Sequence, residues 1–126
     1  MIFTLHTDMD ESYQLNAHEQ IEAEINRMTS TAGAFICIEP DGLVEGSVFM
    51  QVSYLTKTKG FFVKKVIAEY YQLEVQIQEP NGDLYLHTTE LNDKHLLKNI
   101  MCDYFEKRRI PNISTWEREL FYKNKN

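Results

Sequence analysis

His18 and Glu22 stand four residues apart in a helix-patterned stretch, the spacing at which two side chains can share one metal ion. A zinc site takes three or four protein ligands, and nothing in the sequence supplies the others, so the pair reads as exposed helical charge. His87, next but one to Tyr85, is the other candidate for proton chemistry. Strand alternation groups it with Tyr85, Gln76 and Gln78, away from the apolar side of a hairpin. A group without an orienting acid there suits a solvated or partner-facing sheet surface better than acid–base catalysis. Cys37 and Cys102 lie far apart, without the paired spacing of a zinc or redox motif, and are expected to be buried free thiols in apolar surroundings. No Ser-His-acid arrangement, glycine-rich phosphate loop or metalloprotease helix appears. The expectation is a protein that is not an enzyme, with no cofactor and no metal. Catalytic groups can also converge from distant segments. The alternative is therefore a small enzyme or ligand-binding protein, with a pocket between sheet and helix lined by Tyr54, Tyr70, Tyr71 or His87.

These side chains need elements to hold them. Met1 to Leu5 predicts a short strand. Asn16 and Glu19 predict the start of a helix whose Ile21, Ile25 and Met28 share one face, ending at 29–33. From Ala34 the apolar period changes to two, predicting strands over 34–39, 47–56, 60–69, 73–79 and 84–89. Asn81-Gly82 suits a two-residue type I′ turn, which would set Ile77 opposite Leu86 and Glu79 opposite Leu84. Leu73, Val75, Ile77, Leu84 and Leu86 would then face the core. Asn92 is the expected cap of a second helix bearing Leu96, Leu97, Ile100, Met101, Tyr104 and Phe105 and running into Lys107-Arg108-Arg109. Pro111 stops it, and Ser114-Thr115-Trp116-Glu117 matches a capping box for a short last helix that Trp116 would anchor to the body. The fold class expected is α+β: one domain, 1–126, with a curved antiparallel sheet of about five or six strands, an N-terminal helix and one or two C-terminal helices on one face.

Hydrophobic residues make up 43% of the chain, enough for a core of its own. The first residues carry no basic segment ahead of an apolar run, and no stretch approaches the ~20 apolar residues of a membrane span, so a cytoplasmic, membrane-free protein is expected. The net charge of −6 lies wholly in residues 1–63, where nine acids oppose Arg27, Lys57 and Lys59. An acidic field repels phosphate backbones and attracts basic proteins, which argues against direct nucleic-acid binding. The lysines at 57, 59, 64 and 65 and the run 107–109 are assigned to turn solubility and helix capping.

In size, acidic balance and α+β order the chain resembles the small immunity proteins of bacterial contact-dependent growth inhibition and related polymorphic toxin systems. Its segment Asp103-Tyr104-Phe105-Glu106, Ile110-Pro111 and Ser114-Thr115-Trp116-Glu117 carries the same general character. The resemblance implies a protein that binds one cognate toxin, often a basic nuclease, and blocks its active site; it assigns no residue roles. On the charge argument, the expected contacts are Asp8, Asp10, Glu11 and Tyr13, then Glu39, Asp41 and Glu45, with Gln76, Gln78, Tyr85 and His87 on the hairpin. A structural interaction protein would share these binding features.

Overall fold

The structure, a computed structural model, describes residues 1–125. It is a seven-stranded antiparallel sheet with two helices, in the order β1 (Phe3–Thr7), β2 (Ser12–Gln14), α1 (His18–Met28), β3 (Phe35–Pro40), β4 (Ser47–Lys59), β5 (Lys65–Gln78), β6 (Leu84–Leu91), α2 (Lys94–Glu106) and β7 (Glu117–Tyr122). Spatially the strands run β2-β1-β3-β4-β5-β6-β7, so every connection after β2 joins neighbours or nearly so. The α+β class is as expected; the sheet has seven strands against the five or six expected, because β2 and β7 are added and two of the expected segments are a single strand, β5.

One face of the sheet supplies Phe3, Leu5, Ile36, Ile38, Met50, Val52, Leu73 and Val75 to the core, and the helices close over it. From α1 come Ile21, Ile25 and Met28, the stripe that helical spacing predicts, and from α2 Leu97, Met101, Cys102 and Tyr104. Phe3 meets Tyr104 and Phe105 edge-on, with ring centres 5.9 and 5.4 Å apart, which fixes the end of α2 over β1. The buried Tyr104 hydroxyl is satisfied by Ser47 Oγ at 2.8 Å, and burial pushes its pKa up to about 12.

The helix starts differ from expectation by one residue. Ala17, not Asn16, precedes α1, and Gln20 Oε1 accepts from the amides of Asn16 and Ala17. Asp93, not Asn92, caps α2, its Oδ1 accepting from the amides of His95 and Leu96. That helix ends at Glu106, before the basic run, where Arg108 turns into the left-handed region at φ 53°. Trp116 packs partly buried against the core, as anchoring requires, but the segment after it is β7 and not a helix. Six residues gain little as an isolated helix, whereas the open edge of β6 offers a ready row of hydrogen bonds.

Two further corrections concern hairpins. The strands expected over 60–69 and 73–79 are one strand, because no turn residue interrupts Glu69 to Leu73; Gly60 to Lys64 is the turn instead. At the next hairpin Ile77 pairs with Tyr85 and Gln78 with Leu84, one residue away from the expected register. Pro80, fixed near φ −65°, suits the first central position of a type I turn, so Pro80-Asn81 form the corner and Gly82, at φ 91°, follows in the left-handed region. The Gly82 amide bonds to the Glu79 carbonyl and the Glu79 amide to the Asp83 carbonyl, closing a three-residue loop.

Candidate functional site

The acidic residues chosen from the sequence are divided between opposite ends of the sheet. The 8–11 turn follows the end of β1 where Thr7 pairs with Ile36, and 39–45 begins at the end where Phe3 pairs with Pro40. The five residues of β1 separate them by roughly 16 Å. Several of these acids are also committed internally. Asp8 Oδ1 accepts from Arg27 Nη2 at 2.8 Å and from the Phe35 amide at 3.2 Å. Burial alone would raise its pKa, and these bonds more than offset that, leaving it lowered. Asp41 accepts from the Ile2 amide and Glu45 from the Ile110 amide, so both brace loops. Glu39 is exposed, with His6 Nε2 3.9 Å from its carboxylate. Asp10 and Glu11 are exposed and make no ion pair among the described residues. Tyr13 packs against the core, and burial, then Glu24 and Glu11, raise its hydroxyl pKa.

The hairpin quartet does not assemble either. The observed register pairs His87 with Val75 and Tyr85 with Ile77, on the helix-bearing face; Gln76 and Gln78 lie opposite Leu86 and Leu84 on the other. Gln76 is only 4% exposed and His87 only 8%. Arg118 on β7 sits 3.5 Å from the centre of the Tyr85 ring and reaches Glu79 Oε1 at 3.2 Å. His87 lies opposite Arg118, and its Nδ1 is buried without a partner. Burial, then the Arg118 charge, depress its pKa against a smaller opposite pull from Glu79. Tyr54 and Tyr71 are buried in the core with ring centres 5.7 Å apart. The groove beside Tyr70, bounded by Lys57, Glu90 and Leu91, is open and holds about 290 Å³, just under the usual range of small-molecule sites. Among the described residues no group of three or more His, Cys, Asp or Glu could hold a metal ion. Burial lifts the Cys37 thiol to about 12 and the Cys102 thiol to about 11, and both are free; Cys102 is buried as expected, whereas Cys37 is only half-buried, with His6 and Gln51 as its cross-strand partners.

Two features absent from the sequence reading stand out. The first is β7, an edge strand whose six residues are all exposed, with Leu120, Phe121 and Tyr122 in sequence. The second is the outer half of the β4–β5 hairpin. Pairing of β4 with β3 stops at Ser53, and pairing of β5 with β6 begins at Tyr71. Beyond those points Leu55 to Lys59 and Lys65 to Tyr70 pair only with each other, forming a two-stranded ribbon. Its turn carries Phe61, Phe62 and Val63, exposed at 94%, 95% and 82%. A Cβ at Gly60, φ 135°, would run into the Val63 carbonyl, so glycine is required there to bend the chain. The signal was present in Lys-Gly-Phe-Phe-Val-Lys-Lys, an apolar triplet between lysines, but its β propensity reads equally well as strand.

Among the described residues no helix is long and apolar enough to cross a membrane. No family model, no curated protein and no solved structure matches the chain.

Proposed function

We propose that this chain is an immunity-type inhibitor that acts in the cytoplasm by binding a cognate toxin protein one to one, and that β7 is the strand on which an extended segment of the toxin docks. The observation that carries the proposal is the bare β7 edge. A strand at the end of a sheet presents unpaired backbone donors and acceptors, which proteins ordinarily shorten, charge or cover. Here the first half is charged, Glu117-Arg118-Glu119, and the second is Leu120-Phe121-Tyr122, exposed at 46%, 65% and 54%. An added strand would take its hydrogen bonds from β7. Its side chains would rest on Leu120, opposite Tyr85 on the helix-bearing face, and on Tyr122, opposite Leu84 on the other, with a bulge at Phe121 between them.

Charge completes the reading. The ribbon from 55 to 70 holds four lysines against Glu69, so the rest of the chain carries −9 of the net −6. A basic toxin is steered toward that body, with the unpaired Asp10 and Glu11 as the most available of the acids expected at the contact.

The test is binding to the toxin-like product of an adjacent gene, read by titration and by protection of growth on co-expression. The L120K/F121K variant is expected to lose at least tenfold in affinity and to lose protection while keeping its fold, because both side chains lie outside the core. Reversing Asp10 and Glu11 to lysine is expected to slow association and flatten its salt dependence. An unchanged dissociation constant in the edge variant would overturn docking on β7, and absence of any complex would overturn the inhibitor reading.

A further inference from the structure

From the ribbon we infer a second binding function, independent of β7: its tip is a membrane-surface anchor that enters the headgroup region of an anionic bilayer. The apolar side chains occupy the apex. Phe61 and Phe62 pack only on each other there, edge-on at 5.4 Å, and Val66 and Ile67 continue the apolar surface down the ribbon, half exposed. The apex is thus an exposed apolar tip at the end of a two-stranded ribbon. A protein cleft would need a matching socket, whereas the fluid boundary between headgroups and acyl chains accepts it in any rotation, and amphipathic segments settle there.

The cations stand directly behind the apex. Lys59 is the cross-strand partner of Lys65, with Lys64 adjacent, and none of the three makes an ion pair among the described residues. Like charges set opposite each other across strands destabilise a hairpin. An isolated two-stranded hairpin is itself marginal in water. The fold thus holds an unrelieved cationic collar where an anionic surface would neutralise it. Lys57 is different: it lies over Tyr70 at 4.9 Å and reaches Glu90 at 3.5 Å, fastening the ribbon's root to the body.

The acidic body does not cancel this. Five residues of strand at ~3.3 Å each set the collar roughly 17 Å from the body. The Debye length is about 10 Å at 0.1 M salt, so the collar's own field dominates at the tip. Each lysine near an anionic leaflet contributes a factor of about five in partitioning, so the three together are worth on the order of a hundredfold.

Flotation of the full chain with vesicles of phosphatidylcholine, and of phosphatidylcholine mixed with phosphatidylserine, tests this. The chain is expected to float with the anionic vesicles and far less with the neutral ones. The K59Q/K64Q/K65Q variant should lose on the order of a hundredfold on anionic vesicles. F61S/F62S should lose flotation on both while its circular dichroism stays that of the parent, and L120K/F121K should float like the parent, separating this anchor from the β7 proposal. Absence of flotation on anionic vesicles at low salt would overturn the inference. So would flotation unaffected by F61S/F62S, which would mark simple polyanion binding. Loss of a protein complex in F61S/F62S, with no vesicle binding by the parent, would assign the tip to an acidic-rimmed protein cleft instead.

Discussion

β5 takes part in two hairpins, and they are built to opposite ends. At the β5–β6 turn nearly every polar group is spoken for. Asp83 Oδ1 accepts from the Asn124 amide, Asn124 Nδ2 donates to the Asn81 carbonyl, and Asn81 Oδ1 accepts from the Asp83 amide. Arg118 ties Glu79 to β7 over the Tyr85 ring. At the β4–β5 turn apolar side chains stand in solvent, a lysine faces a lysine, and the strands have no neighbours. The first hairpin spends its residues on holding the fold together. The second gives up local stability and leaves an apolar tip in solvent, the kind of exposed surface that often marks interaction sites.

That contrast breaks first at the root of β5. Leu73 is fully buried against the helices, so Leu73→Ala is expected to cost about 2–5 kcal/mol by urea denaturation, while Phe62→Ser in the exposed turn stays within about 0.5 kcal/mol. Comparable losses at the two positions would mean that the ribbon packs on the body. Next is the clasp: Asp83→Ala leaves the Asn124 amide without its carboxylate and is expected to cost about 1–3 kcal/mol and to release the C-terminal residues to rapid amide exchange. A neutral result would place the stability of that turn in Gly82 and Pro80 alone. The smallest effect is in pH. His87 has a folded pKa below its ordinary value of about 6.5, so as pH falls through that value the unfolded chain takes up the proton first and stability is lost; above neutrality the contribution is fully present. Between about pH 8 and about pH 5.5 the urea midpoint should fall in the parent and fall less in His87→Gln. Parallel curves would remove His87 from the acid sensitivity of this end.

The helices were legible because each carries its own record: Ile21, Ile25 and Met28, or Leu97, Met101 and Tyr104, recur at the spacing of one face whatever surrounds them. The position of the β5–β6 turn was legible too, but not its register. Asn81-Gly82 and Pro80-Asn81 are competing corners, and the ring of Pro80 decides between them. β7 was misread because a capping box is a local pattern, whereas a strand at a sheet edge is chosen by a partner 29 to 38 residues away in the chain. The candidate sites failed for the same reason. Alternation states that side chains take turns, not whether a strand has neighbours, so it could show neither that Tyr85 and His87 turn toward the helices nor that the ribbon stands alone. The charge reading placed Asp8, Asp41 and Glu45 at a partner contact because sequence gives no account of which acids are already bonded within the fold.

The ribbon also marks the place where the backbone could be cut with least consequence. Lys59, Lys64 and Lys65 are exposed, peptide bonds in a solvated turn bend readily into a protease, and no core residue lies between 55 and 70. Cleavage there would leave two pieces still zipped together through Ser47 to Tyr54 of β4 and Tyr71 to Ile77 of β5, with α1 in one piece and α2 in the other and their buried faces in contact. The chain is thus organised as two complementary halves sharing one interior, joined by a segment the interior does not need.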